Sequence, residues 1–184
     1  MIEPWMLGGL YMCSEVLLRF LRRSKSGDGS HDRHSLHILW IAIIGGIAGG
    51  IFVANLCRFA TLPFPHLTTI GIMLFTIGIV LRWYSIIHLG ALFTVDVAIA
   101  ADHKLVESGP YRFVRHPSYT GALLAFVGFA LCLHNWIAFF VVLLPITAAF
   151  LWRIHVEEAA LRNALGGDYH GYADRTKRLV PFVY

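Results

Sequence analysis

Two hydrophilic stretches of this 184-residue chain hold most of the side chains that could do chemistry. The first reads DHKLVESGPYRFVRHPSYTG and ends at Gly121; the second reads WRIHVEEAALRNALGGDYHGYADRTKRLVPF and begins at Trp152. In the first, Gly109-Pro110 marks a turn. His116 precedes a proline and is pushed toward an extended conformation, and Pro117 suits the first position of a helix. Backbone N–H groups near Ser118–Thr120 then point back at Arg115 and His116. Helix dipole, free donors and a cationic side chain together favour a carboxylate or phosphate there. In the second stretch Leu151, Ile154, Glu158, Leu161 and Leu165 fall on one helical stripe. Glu158 thus lies on an apolar face, where a carboxylate without a partner is costly. Glu157 lies about 100° round, nearer Arg153. Gly166-Gly167 ends the helix, and Tyr169, Tyr172, Arg175 and Arg178 follow in a polar tail. Each feature has a plainer explanation. Glu158 and Arg162 make an ordinary i,i+4 pair, Arg112 and Arg115 are topology anchors, and Tyr119 is an interfacial aromatic. The combination on one face is what points to a binding site for a small charged molecule.

The elements that position these residues are set by composition. Apolar residues make up 57% of the chain and charged residues 14%, against roughly 45–50% and about 25% in soluble domains. Too few charges remain to build a soluble shell, so the expectation is an all-α integral membrane protein. The net charge of +4 is better placed in membrane loops than on nucleic acid. Cys13, Cys57 and Cys132 form no CxxC pair and read as small core residues, with no metal site or disulfide framework among them.

Spanning helices need roughly 20 apolar residues. Candidates are Pro4–Leu21, an uncleaved anchor because its basic residues follow the apolar run; His37–Leu56; and Leu67–His88. Gly45/Gly49 and Gly46/Gly50 give the second a small-residue stripe for close helix packing. Arg82, near the end of the third, either snorkels to the interface or turns inward in a functional role. From Gly121 to Trp152 there are 32 residues without a charge. As one helix they would extend roughly 48 Å, beyond a core of about 30 Å. Asn135 is a good N-cap, so two helices are expected, Pro117–Leu133 and Asn135–Leu165, joined as a hairpin. Arg22, Arg23, Lys25 and Arg33 in the first loop, Lys104, Arg112 and Arg115 in the 89–116 segment, and the basic tail all assign to the cytosol. Five spans with the N-terminus outside satisfy this. The hairpin then returns the tail to the same side as the 89–118 segment.

The run Leu81-Arg82-Trp83, Leu89-Gly90, LVESGPYRFVRHPSYTG, Glu157-Glu158-x-x-Leu161, Gly167-Asp168-Tyr169-x-x-Tyr172 and Arg178-x-x-Pro181 resembles the isoprenylcysteine carboxyl methyltransferase family, related to the membrane phospholipid methyltransferases. The resemblance covers about residues 67–184, a methyltransferase core behind two variable N-terminal helices in 1–66. It implies a membrane enzyme that uses S-adenosylmethionine and a lipophilic acceptor entering from the bilayer. By matching position, Val106, Tyr111, Val114, His116, Pro117 and Tyr119 line the cofactor pocket, Glu157 and Glu158 close its other side, and Arg175 or Arg178 holds the tail over it. Arg115 or His116 would hold the cofactor carboxylate, Glu158 its amino or ribose groups, and Arg82 a carboxylate acceptor. The acceptor is left open among a prenylcysteine carboxylate, a phospholipid amine and a thiol.

Other classes fit less well. Ten histidines invite a haem or redox protein, but His37, His66, His88, His134 and His155 fall near span ends rather than facing one another inside helices. A transporter or membrane scaffold needs an ionisable group at mid-membrane, for which Glu15 is the weak candidate.

Overall fold

A computed structural model describes residues 3–21, 33–90, 93, 105–181 and 183–184. The basic loop over 22–32 and most of the segment between 91 and 104, including Lys104, lie outside the described residues. Among the described residues six α-helices follow in order: α1 Pro4–Leu21, α2 Arg33–Leu56, α3 Leu67–Leu89, α4 Pro117–Cys132, α5 Trp136–Leu165 and α6 Gly167–Arg175. No strand occurs among the described residues. Among the described residues three helices, α2 from His34, α3 and α5, are long and apolar enough to cross a membrane, while α4 is a shorter apolar helix. Their outward faces carry Ile41, Phe52, Val80 and Leu144 in the open, as expected where lipid replaces water. The chain is an integral membrane protein.

The bend between α4 and α5 has a local cause. His134 takes a left-handed conformation with φ 51°, and the Asn135 side chain accepts from the Ala138 amide at 2.9 Å, capping α5. Asn135 Nδ2 also donates to the Cys57 carbonyl at 2.7 Å, tying the turn to the end of α2. The hairpin expected from the uncharged run is therefore present.

Glycine sets how closely the helices approach. A Cβ on Gly78 would lie 2.4 Å from the Ala125 amide nitrogen, and one on Gly121 would lie 2.6 Å from the Arg82 nitrogen. Gly71 and Gly128 meet in the same way one level further along, so α3 and α4 run backbone to backbone. The glycine stripe of α2 is narrower than its sequence suggests. Gly46 and Gly50 face Ile146 and Val142 of α5, whereas Gly45 has open space around it and Gly49 makes only an ordinary contact with Val141. Between these layers lie Phe75, Phe126, Phe129, Val142, Ile146 and Phe150, all buried. The first helix closes this core with Tyr11, whose ring centroid is 4.4 Å from that of Phe126.

Candidate functional site

The tail is not an unstructured polar end. Gly166 (φ 53°) breaks α5, and α6 follows at once. The chain then returns in extended form beside the residues that precede α4. The Arg115 amide donates to the Lys177 carbonyl at 2.8 Å and the His116 amide to the Arg178 carbonyl at 3.0 Å. Thr120 Oγ1 adds a bond to the Leu179 carbonyl at 2.7 Å. The two hydrophilic stretches, separated in sequence by the hairpin, are in direct contact.

At their junction lies Glu158, 1% exposed. Arg115 Nε donates to its Oε1 at 3.0 Å. Arg162 Nη2 and Arg178 Nη2 each donate to Oε2 at 3.0 Å. The i,i+4 pair with Arg162 exists, but as one partner of three around a buried carboxylate rather than as a surface pair. Arg115 spends its remaining reach on the Ala173 carbonyl at 2.8 Å and the Thr176 carbonyl. Its guanidinium is therefore a clamp on the tail rather than an open anion site. The helix start is likewise engaged, since the Tyr119 and Thr120 amides both donate to the His116 carbonyl at 3.0 Å.

A second polar row runs beside the first. Tyr119 donates its hydroxyl to Glu157 Oε2 at 2.9 Å and accepts from Arg153 Nε at 3.0 Å. Arg153 Nη1 reaches Ser35 Oγ on α2 at 3.1 Å. His116 stacks on the Tyr119 ring, centroids 5.5 Å apart and 6° from parallel. Its Nδ1 lies 3.8 Å from Glu157 and its Nε2 3.4 Å from Glu158, but the buried Nε2 has no hydrogen bond of good geometry among the described residues. The buried Tyr169 hydroxyl is in the same position. Glu157 is the partly open carboxylate of the pair, with 30% of its side chain exposed.

The remaining expected residues lie on the wall before α4. Val106 is half-buried in the segment leading to the Gly109–Arg112 turn, and Tyr111, Val114 and Pro117 are buried. Tyr111 donates to the Ser85 carbonyl on α3 at 3.3 Å and accepts at its own carbonyl from Tyr172 at 2.7 Å. Burial pushes the Tyr172 hydroxyl up to about 12 and raises Tyr111 and Tyr169 as well, so all three remain neutral hydrogen-bonding groups. Arg175 is exposed and pairs with Glu107 at 2.8 Å; it pins α6 to the 105–108 segment, while Arg178 holds the tail to Glu158.

Arg82 turns inward, 7% exposed, and does not snorkel. Its Nε and Nη2 grip the Glu15 carboxylate at 2.6 and 2.7 Å, and Nη1 reaches the Ser118 carbonyl at 3.2 Å. The sequence offered Arg82 as an acceptor-side arginine and Glu15 as a weak mid-membrane candidate without pairing them, and Arg153 only as a basic residue near Glu157. The available hint was that Glu15 and Arg82 are opposite charges, each within an apolar run.

Residues 70–163 match the isoprenylcysteine carboxyl methyltransferase family, and that stretch is half of the chain. The chain belongs to this family. Protein-S-isoprenylcysteine O-methyltransferase B of Arabidopsis thaliana is 36% identical over 119 residues, covering 64% of this chain and 60% of the relative. The Schizosaccharomyces pombe protein-S-isoprenylcysteine O-methyltransferase is 28% identical over 158 residues, covering 78% of this chain and 67% of its own. The solved structure of a eukaryotic intramembrane Ras methyltransferase of the family superposes with a TM-score of 0.61 at 27% identity, over 78% of this chain and 52% of that one. The chain spans about three fifths of the length of the plant relatives it matches.

Proposed function

We propose that this chain is an S-adenosylmethionine-dependent methyltransferase in the membrane, acting on a lipophilic acceptor of the prenylcysteine-carboxylate kind. The observation that carries the reading is the backbone pairing of Arg115 and His116 with Lys177 and Arg178. It folds the tail against the matched stretch, where His116 Nδ1 lies 3.8 Å from the partly open Glu157.

The residues present fit that cofactor. Its ammonium and ribose hydroxyls are donors, and Glu157 offers a carboxylate with one oxygen engaged by Tyr119. His116 Nε2 and the Tyr169 hydroxyl are buried polar groups whose bonding is incomplete, a state that favours a ligand partner. Val106, Tyr111, Val114 and Pro117 supply an apolar wall. The chemistry supplied by the bound cofactor is an activated methyl on a sulfonium, given up in an in-line displacement that needs no strong acid. The protein's work is therefore alignment and exclusion of water. Glu158, tied to Arg115, Arg162 and Arg178, fixes the tail over the site. Arg115 acts with it, and Arg82 is the acceptor-side arginine on the apolar flank of α4. Five spans, with α1 and α4 completing the three long apolar helices and the site on the cytosolic side, follow from the placement of basic residues.

Three experiments test this. Purified protein in detergent should bind S-adenosylhomocysteine, and absence of heat or thermal stabilisation at about millimolar ligand would count against the reading. A tritiated-methyl assay over prenylcysteine, phospholipid-amine and thiol acceptors should give transfer to the carboxylate. Cysteine labels placed at Glu107 and Lys177 should react from the same side of the membrane; labelling from opposite sides would overturn the proposed topology.

A further inference from the structure

The buried Glu15–Arg82 pair joins α1 and α3 away from their ends. Arg82 is seven residues before the end of α3 and Glu15 six before the end of α1, roughly 10 Å of helix in each case. Such a pair is a poor device for stability, since apolar residues of similar volume often hold a fold as well. Charges buried within apolar helices are expensive and point to function. The hydrogen bonding of Arg82 is also incomplete. An arginine has five N–H donors. Glu15 takes the Nε donor and one on Nη2, and the Ser118 carbonyl takes one on Nη1. One N–H on each terminal nitrogen is left without a partner among the described residues. These two remain available to an acceptor, and guanidinium donors suit a carboxylate. Beside the pair sits the Tyr11 hydroxyl, on a side chain 1% exposed and next to the Glu15 carboxylate.

We infer that α1, which lies outside the matched residues 70–163, builds the acceptor end of the site: Glu15 is a positioning residue that holds the remaining N–H donors of Arg82 ready for an acceptor carboxylate, and Tyr11 supports Glu15 beside it. The inference rests on the methyltransferase reading and names the acceptor's chemistry within it. Glu15 offsets the charge of Arg82, which lets the guanidinium remain buried, and fixes its plane from the side. The Ser118 carbonyl fixes it from α4, one residue before Tyr119 and two after His116. An acceptor carboxylate bound there adds a second negative charge to the cluster. Esterification removes that charge, so a methylated product loses its hold on Arg82 and an unmodified acceptor can replace it.

The test uses the full chain in detergent, S-farnesylcysteine with a free carboxylate as acceptor, and S-adenosylhomocysteine binding as the control. Glu15→Asp keeps the charge but retracts it by one methylene. It should raise the acceptor KM by about tenfold or more while leaving S-adenosylhomocysteine affinity unchanged. The exchange E15R/R82E restores opposite charges in the same place and should bind S-adenosylhomocysteine yet fail to methylate the acceptor. Tyr11→Phe should raise KM a few-fold. A wild-type KM in E15D, or full turnover in the exchange variant, makes the pair a structural strut and overturns the inference. If the exchange variant does not fold, E15D decides alone. Transfer by the wild type only to amines or thiols removes the carboxylate-binding role of Arg82 and leaves the methyltransferase standing. Neither binding nor transfer to any acceptor by the wild type removes both.

Discussion

Arg178 meets both oxygens of the Glu158 carboxylate, at 3.0–3.2 Å, from twenty residues further along the chain. Arg115 closes the opposite side at 3.0 Å. One buried anion therefore binds the stretch before α4, the end of α5 and the returning tail into a single unit, and its loss leaves three guanidiniums facing one another.

Glu158→Gln should accordingly release the tail. Removing the charged partner from a buried cluster costs about 3–5 kcal/mol, and methyl transfer should fall by roughly a hundredfold or more. Protease sensitivity after Gly166 and the tritiated-methyl assay read the two effects. Arg162→Ala, which removes a partner with 38% of its side chain exposed, should cost far less, because exposed pairs contribute little. Equal losses in the two variants would contradict the clamp.

Tyr119→Phe keeps the ring stacked on His116 but removes the bonds to Glu157 and Arg153. S-adenosylhomocysteine affinity should drop by about tenfold, as expected for one to two bonds at roughly 1 kcal/mol each. Titration calorimetry measures it directly. An unchanged affinity would take this row of side chains out of the cofactor site.

Gly78→Ala drives a methyl to 2.4 Å from the Ala125 amide nitrogen, where only backbone could move. It should destabilise the protein by roughly 1–3 kcal/mol through overpacking and shift Arg82, one helical turn away. Gly45→Ala meets nothing within 4 Å and should leave thermal unfolding in detergent unchanged. The two glycines are indistinguishable by composition, so the contrast tests the observed packing.

Alkaline stability should report Tyr172. Burial raises its hydroxyl from about 10 to about 12 in the folded protein. The folded state thus holds the proton more tightly than the unfolded chain. The associated stability is complete below pH about 10 and is lost as pH rises toward about 12. Tyr172→Phe, which cannot ionise, should start lower at neutral pH because it loses the bond to the Tyr111 carbonyl. It should then lose less than the wild type between about pH 9 and about pH 11. Parallel unfolding curves would place the alkaline transition elsewhere.

The sequence by itself determined that the chain lives in a membrane, roughly where its first five helices lie, and that the uncharged run folds back at His134-Asn135, but not the sixth helix in the tail. These properties are local. They depend on apolar length, on a cap residue and on a proline at a helix start, all read from neighbours along the chain. The grouping of Glu157 and Glu158 with the RHP stretch was also legible, because the hairpin returns both polar segments to one side. Only the tertiary structure decided which partner each charge takes. Glu158 could have faced a ligand, yet three arginines from two separate segments claim it; Arg82 could have snorkelled, yet a carboxylate 67 residues away draws it inward. Pairing of this kind depends on which helices share a face and how closely glycines let them approach. No periodicity along a single chain encodes that distance.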